Sequence, residues 1–369
     1  MTVLFLELLQ VAVGCRTCLS YAPSSDEWRT LSDIARRQAV DGLCFAALER
    51  LPQGQWPPRD LVLEWSALRR RIEMRNHEVN KAAVSVTGWF KARGYRTCIL
   101  KGQGNALLYP STMVRTPGDI DIWVEGGCRC VIKLARKCGI SGKACYHHID
   151  WRPYNGISVE VHYRPTFMLN PIHNNRLQKW FEKHANMQFD NAVSIPQCDG
   201  VISVPTFSFN AVYQLSHIAN HFFQEGIGLR QFADYYFLLL RNKDAVDVRF
   251  KEDLEDELKY LGLHDFARAV MWVLGRVFLM DRVYMIVPPD EKRGSFLLDE
   301  IIEGGNFGQY DNRIFCGVQV NSVRHNIARI YRDVRLLRFF PSECLCEPVF
   351  RFWHFLWRYM NNHIHISFY

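Results

Sequence analysis

Leu100-Lys101-Gly102-Gln103, followed by Arg115-Thr116-Pro117-Gly118-Asp119-Ile120-Asp121-Ile122-Trp123-Val124, is the stretch on which the fold turns. β-Branched and aromatic residues surround both aspartates, a composition that predicts a strand. Residues two apart on a strand share a face, so Asp119 and Asp121 project side by side while Ile120 and Ile122 enter a core. Neighbouring carboxylates on a buried strand repel each other and are costly to desolvate. A cation between them is therefore expected, and hard oxygen ligands suit Mg²⁺.

A third carboxylate follows from the segment His147 to Arg164, which reads as a β-hairpin about Asn155-Gly156, a pair that tolerates positive φ at both positions. On its second strand Glu160, His162 and Arg164 share one face, and Val159, Val161 and Tyr163 the other. Beside the aspartate strand, Glu160 completes a three-carboxylate site able to hold two metal ions and to activate a hydroxyl. His162 either faces the same site or orients Glu160 through a hydrogen bond.

These residues resemble the nucleotidyltransferase superfamily that includes DNA polymerase β. Its signature is a hydrophobic residue, Gly, then Gly or Ser, a spacer, and two aspartates alternating with hydrophobic residues, with a later acidic residue. More narrowly, the chain resembles the bacterial group described as uncharacterised nucleotidyltransferases, over roughly its first three quarters. The matching pieces are Leu100-Lys101-Gly102, Tyr109-Pro110, Arg115, Gly118-Asp119-Ile120-Asp121, Val159-Glu160-Val161-His162, and Gly228-Leu229-Arg230-Gln231 with Asp234. One position departs. Gln103 stands where a small residue helps to cradle the triphosphate, which leaves phosphate binding to backbone N–H groups and to Lys101 or Arg115.

The resemblance implies an α+β fold, a small mixed-sheet core flanked by N-terminal and C-terminal helical regions. The expected division is 1–92 helical, 93–165 catalytic core, 166–303 helical and completing the site, and 304–369 a loop and an aromatic helical region. It also implies transfer of an NMP from an NTP, ATP first among them, to a hydroxyl of a small molecule, peptide or protein. Asp119, Asp121 and Glu160 are the expected catalytic and metal-binding residues, for two Mg²⁺ ions with Mn²⁺ as a substitute. Lys101, Gly102, Gln103, Arg115, His162 and Arg230 are the expected nucleotide contacts. Two other readings stand beside this one: a nucleotide-sensing or scaffold protein without transfer, and a toxin–antitoxin component, since one fold hosts many functions.

Composition is compatible with all three. The 369 residues can build more than one domain, and 48% hydrophobic content argues against disorder. A net charge of +7, from 45 basic and 38 acidic residues, suits a polyanionic ligand. It is not the dense basic stripe of a dedicated nucleic-acid binder, so nucleic acid is not the favoured acceptor. The 12 cysteines are scattered without paired zinc-knuckle spacing, which points to reduced thiols and a cytoplasmic setting. The stretch Met1 to Glu7 does not read as the basic n-region of a signal peptide, and no apolar run reaches membrane-spanning length.

Elsewhere, Ser24-Ser25-Asp26-Glu27 predicts a capping box, and residues 61–92 a long helix ended by Gly94. Gln214, His217, His221 and Gln224 form a polar helical stripe. Its histidines are open to three readings: a metal pair, hydrogen bonding at a packed interface, or a border of the nucleotide site. Arg230 and Asp234 predict an i, i+4 pair, which is worth only about 0.3–0.5 kcal/mol if exposed. Phe350 to Tyr359 is apolar but interrupted by charge. It reads either as a buried or dimer-forming helix or as a surface for a membrane or partner.

Overall fold

Ile120, Ile122 and Val124 alternate with Asp121 and Trp123, and this period of two builds the central strand of the protein. A computed structural model describes residues 1–140, 142–311 and 322–363. The chain begins with helices α1 (Thr2–Ala12), α2 (Ser25–Arg37), α3 (Asp41–Leu48) and α4 (Arg59–Lys91). The sheet region follows, with β1 (Thr97–Ile99), α5 (Gln103–Ala106), β2 (Ile120–Val124), α6 (Gly127–Lys137), β3 (His148–Asp150) and β4 (Val159–His162). After α7 (Pro171–Asp190) come β5 (Ala192–Ser194) and β6 (Val201–Ser203). The rest is helical: α8 (Phe207–Gln224), α9 (Leu229–Arg241), α10 (Val248–Leu261), α11 (His264–Phe278), α12 (Glu291–Gly304), α13 (Ser322–Leu337) and α14 (Pro341–His363). The expected α+β class is observed. Of the loop expected to open the 304–369 region, residues 312–321 lie outside the described residues, while Asn306–Gly308 form a short 3-10 turn and α13 begins at Ser322.

The chain divides into two compact units that interleave along the sequence. The first contains Met1–Asn76, Leu108–Thr116 and Gln224–Ala328. Here α1 packs on α3 and α11, and α11 also packs on α9 and α12. Leu4, Phe5, Leu8 and Val11 of α1 and Val270, Val273 and Leu274 of α11 are buried. The α2 start is capped as expected: Ser24 Oγ accepts from Glu27 N–H, and a Glu27 carboxylate oxygen accepts from Ser24 N–H.

The second unit contains His77–Leu107, Pro117–Phe223 and Arg329–Tyr369. Its main sheet has the order β1-β2-β4-β3, with β2 and β4 parallel and the outer pairings antiparallel. One face packs Ile120, Ile122, Val124, Val159 and Val161 against Val79, Ala83, Val86 and Phe90 of α4 and Val131 and Ala135 of α6. On the opposite face Trp123 lies against Phe189 and stacks on Phe209, at centroid distances of 4.7 and 5.9 Å. Both faces of β2 are thus covered, and Asp121 is buried on the face covered by α7 and α8.

The hairpin turn forms where expected. Asn155 and Gly156 both have positive φ, 49° and 74°, and Tyr154 and Ile157 exchange two backbone hydrogen bonds of 2.9 Å. The aromatic segment lies in α14. Phe350 stacks on Phe167 at 4.9 Å and Trp353 meets Tyr146, while Phe352 and Phe355 face outward. Among the described residues no helix is long and apolar enough to cross a membrane.

Candidate active site

Register sets the site. In the parallel pairing of β2 with β4, Asp121 stands opposite Glu160 and Trp123 opposite His162. Asp121 is almost fully enclosed and receives two cations: Lys101 Nζ at 2.9 Å and His162 Nε2 at 3.0 Å, both on Oδ1. Nε2 of His162 also lies 3.5 Å from Glu160 Oε2. Lys101 follows β1, whose Leu100 N–H donates to Asp121 C=O, so the lysine is delivered to the strand that carries the aspartates.

The charges answer one another. Burial alone would raise the Asp121 pKa, but Lys101 and the His162 hydrogen bond overcome it and hold the carboxyl well below its usual range. Burial opposes charge on His162 too, yet bonds to Asp121 and Glu160 hold its pKa up at about 9. Glu160 behaves like Asp121: burial pushes it up, and His162 brings it below the usual value. Asp119 goes the other way, raised first by the charge of Asp121 and then by burial. Lys101 loses proton affinity through burial and more than regains it from Asp121, Asp119 and Glu160.

Gly102 links Lys101 to α5 with φ of 61° and ψ of −108°, a conformation that favours glycine. Gln103 does not point outward. Its side chain is buried and its Nε2 donates to Asn80 Oδ1 of α4 at 2.8 Å.

Lys101, Asp119, Asp121, Glu160 and His162 thus come together in the second unit. Arg115 and Arg230 belong to the first. There Arg115 forms a two-pronged bridge to Asp234, with Nε–Oδ1 and Nη2–Oδ2 both at 2.8 Å. Tyr109 adds its hydroxyl to Asp234 Oδ1 at 2.7 Å. The three residues are therefore joined in one buried network in this chain. Arg230 Nη1 donates to Thr116 C=O at 3.3 Å. Asp234 is therefore bridged by Arg115, a residue far away in sequence, as well as lying one helical turn from Arg230.

Carboxylate oxygens of Asp121 and Glu160 converge with a nitrogen of His162 so that all three ligand atoms lie within 4.8 Å. Two further groups of this kind are His147 with His148 and His162, and His148 with Asp150 and Glu160. Sequence reasoning passed over His147 and His148. Their signal was present, two adjacent histidines at the start of a hairpin strand whose partner carries His162. Among the described residues His217 and His221 join no such group, although their rings touch at 4.4 Å. The cysteines among the described residues are free thiols.

The site is thus a mixed sheet in which Asp121 and Glu160 stand opposite each other on parallel strands, beside the glycine turn that follows Lys101. The family model described as uncharacterised nucleotidyltransferase matches residues 24–278, more than half of the chain, and the protein belongs to that family. A comparison with curated proteins gave no match.

Proposed function

We propose that the protein transfers an NMP from an NTP to the hydroxyl of a small molecule, peptide or protein, releasing pyrophosphate. The observation that carries this reading is the placement of Asp121 opposite Glu160 on adjacent parallel strands, with Asp119 one step before the strand, in a chain of a nucleotidyltransferase family. Asp119, Asp121 and Glu160 would hold Mg²⁺. The donor set fits: carboxylate oxygens suit a hard ion, and the raised pKa of Asp119 marks a carboxylate pair short of positive charge. Bound Mg²⁺ supplies charge neutralisation at the phosphates and lowers the pKa of the attacking hydroxyl.

The chain's own groups do the rest. Glu160, ionised at neutral pH, takes the acceptor hydroxyl proton on a carboxylate oxygen. The acceptor oxygen bonds to the α-phosphorus as the bridge to the β-phosphate breaks, and the electron pair leaves with pyrophosphate. His162 keeps Asp121 ionised and fixed in direction. Lys101 is the cation available to the triphosphate once its aspartate accepts another positive partner. ATP is the first nucleotide to try, and free thiols suit a reducing, cytoplasmic compartment.

One observation favours a second reading, nucleotide sensing without transfer: Lys101 already neutralises Asp121 at 2.9 Å. A single experiment separates the two. Each α-labelled NTP is incubated with Mg²⁺, lysate fractions, and either wild type or Asp119→Asn. Label entering one fraction with wild type alone supports transfer. Mg²⁺-dependent nucleotide binding with no label in any fraction supports sensing.

A further inference from the structure

Three imidazoles crowd one end of the main sheet. His148 of β3 stands opposite His162 of β4, and His147 immediately precedes β3. Ring centroids are 4.4 Å apart for His147–His148 and 5.3 Å for both His147–His162 and His148–His162. One nitrogen from each ring can be chosen so that all three lie within 4.8 Å of one another.

Ordinary hydrogen bonding does not account for this arrangement. His147 Nε2 meets His148 Nδ1 at 2.9 Å, so one of the two must donate to the other. The remaining nitrogen of His147, Nδ1, is buried with no hydrogen-bond partner. A buried polar atom left in that state is costly. Orienting groups surround the cluster. His148 Nε2 lies 3.6 Å from Asp150, His148 Nδ1 lies 3.6 Å from Glu160, and His162 Nε2 bonds Asp121. Carboxylates beside ligating imidazoles fix the ring tautomer and strengthen the donor nitrogen.

We propose that His147, His148 and His162 form a binding site for one divalent transition-metal ion, Zn²⁺ or a neighbour such as Co²⁺. Imidazole nitrogen suits these ions and not Mg²⁺, so the site differs in chemistry from the carboxylate oxygens beside it. Three histidines with a fourth position left over is the ligand count of an open zinc site, and Glu160, whose Oε2 lies 3.6 Å from His148 and 3.5 Å from His162, is an oxygen donor within reach of two of the three rings. The proposal does not depend on nucleotidyl transfer, because the binding it describes requires neither nucleotide nor acceptor.

Its test uses the whole chain, stripped with chelator and titrated with Co²⁺ in the presence of excess Mg²⁺, which occupies oxygen ligands. The expected result is one Co²⁺ per chain with the absorption of a nitrogen-ligated ion, displaced by Zn²⁺. His147→Gln should weaken Co²⁺ binding by about 10-fold or more, while Asp119→Asn should leave it within a few-fold of wild type. Equal affinity in His147→Gln and wild type overturns the site, as does wild type that takes up no Co²⁺ under excess Mg²⁺. X-ray absorption at the zinc edge of the loaded wild type reads the imidazole count without relying on a variant that folds. Three imidazoles support the proposal and fewer overturn it.

Discussion

Replacing Asp121 by asparagine takes a partner from both Lys101 and His162, whereas replacing Asp119 removes a repulsive neighbour. Breaking a buried ion pair on one side costs about 3–5 kcal/mol, so chemical denaturation of ion-free Asp121→Asn should show a loss of that size. Asp119 binds its proton more tightly in the folded chain, so its ionised form opposes folding at neutral pH. Ion-free Asp119→Asn should therefore melt at or above the wild-type temperature. Both variants should lose at least about 100-fold in label transfer, and Asp119→Asn is the one whose loss reports chemistry rather than folding. His162 gives a pH signature. Its stabilising bonds are fully present below 6.5, its ordinary value, and fade as pH rises through about 9. Denaturation midpoints of ion-free wild type should fall across that window, by at most about 1.4 kcal/mol per pH unit. His162→Gln should fall less steeply there, and a wild-type curve no steeper than the variant's would remove the charge assigned to His162.

At the scale of elements, the β3–β4 hairpin shows where sequence was informative and where it stopped. Asn155-Gly156 announces the turn because both residues accept the positive φ found there. A β-carbon at Gly156 would meet nothing within 4 Å, so Gly156→Ala should cost only the conformational term, about 1–2 kcal/mol, read by thermal melting. Pairing then slips. Between the turn bridge and the Asp150–Glu160 pair, one side spends residues 151–153 and the other residues 158–159. Counting outward from the turn would put Ile149 opposite His162, whereas the extra residue puts His148 there. A one-residue slip exchanges the two faces of a strand. The imidazole cluster was therefore hidden, while the carboxylates were legible from alternation alone. Arg115–Asp234 was hidden for another reason: helical spacing suggests Arg230, and nothing local reveals a guanidinium 119 residues upstream. Lys101 was recognised as a functional cation, but its closeness to Asp121 comes from the β1–β2 pairing.

Across the whole molecule, sequence order and compact units do not coincide. The matched family region, residues 24–278, takes in parts of both units. The core under the main sheet draws Val79, Ala83, Val86 and Phe90 from α4, and Ile195, Ile202 and Val204 from beyond β4. A fragment limited to residues 93–165 lacks all of these. It should expose the apolar face of β2 and β4, show narrow amide dispersion by NMR, and be cut rapidly by protease. Adding residues 77–92 and 166–223 should restore much of the protection. Equal protection of the short fragment would show that the sheet needs no support from α4.

Gln103 and Asn80 supply a last consequence. The amide of Gln103 is spent on a buried partner in α4, so a change at position 103 alone would leave Asn80 without that donor. Descent should record that pairing. Relatives that restore serine at position 103 should have lost asparagine at position 80, because a short side chain would strand the Asn80 oxygen. The two positions are then inherited as one character, and an ancestor rebuilt with only one of them altered should be the least stable step on the path.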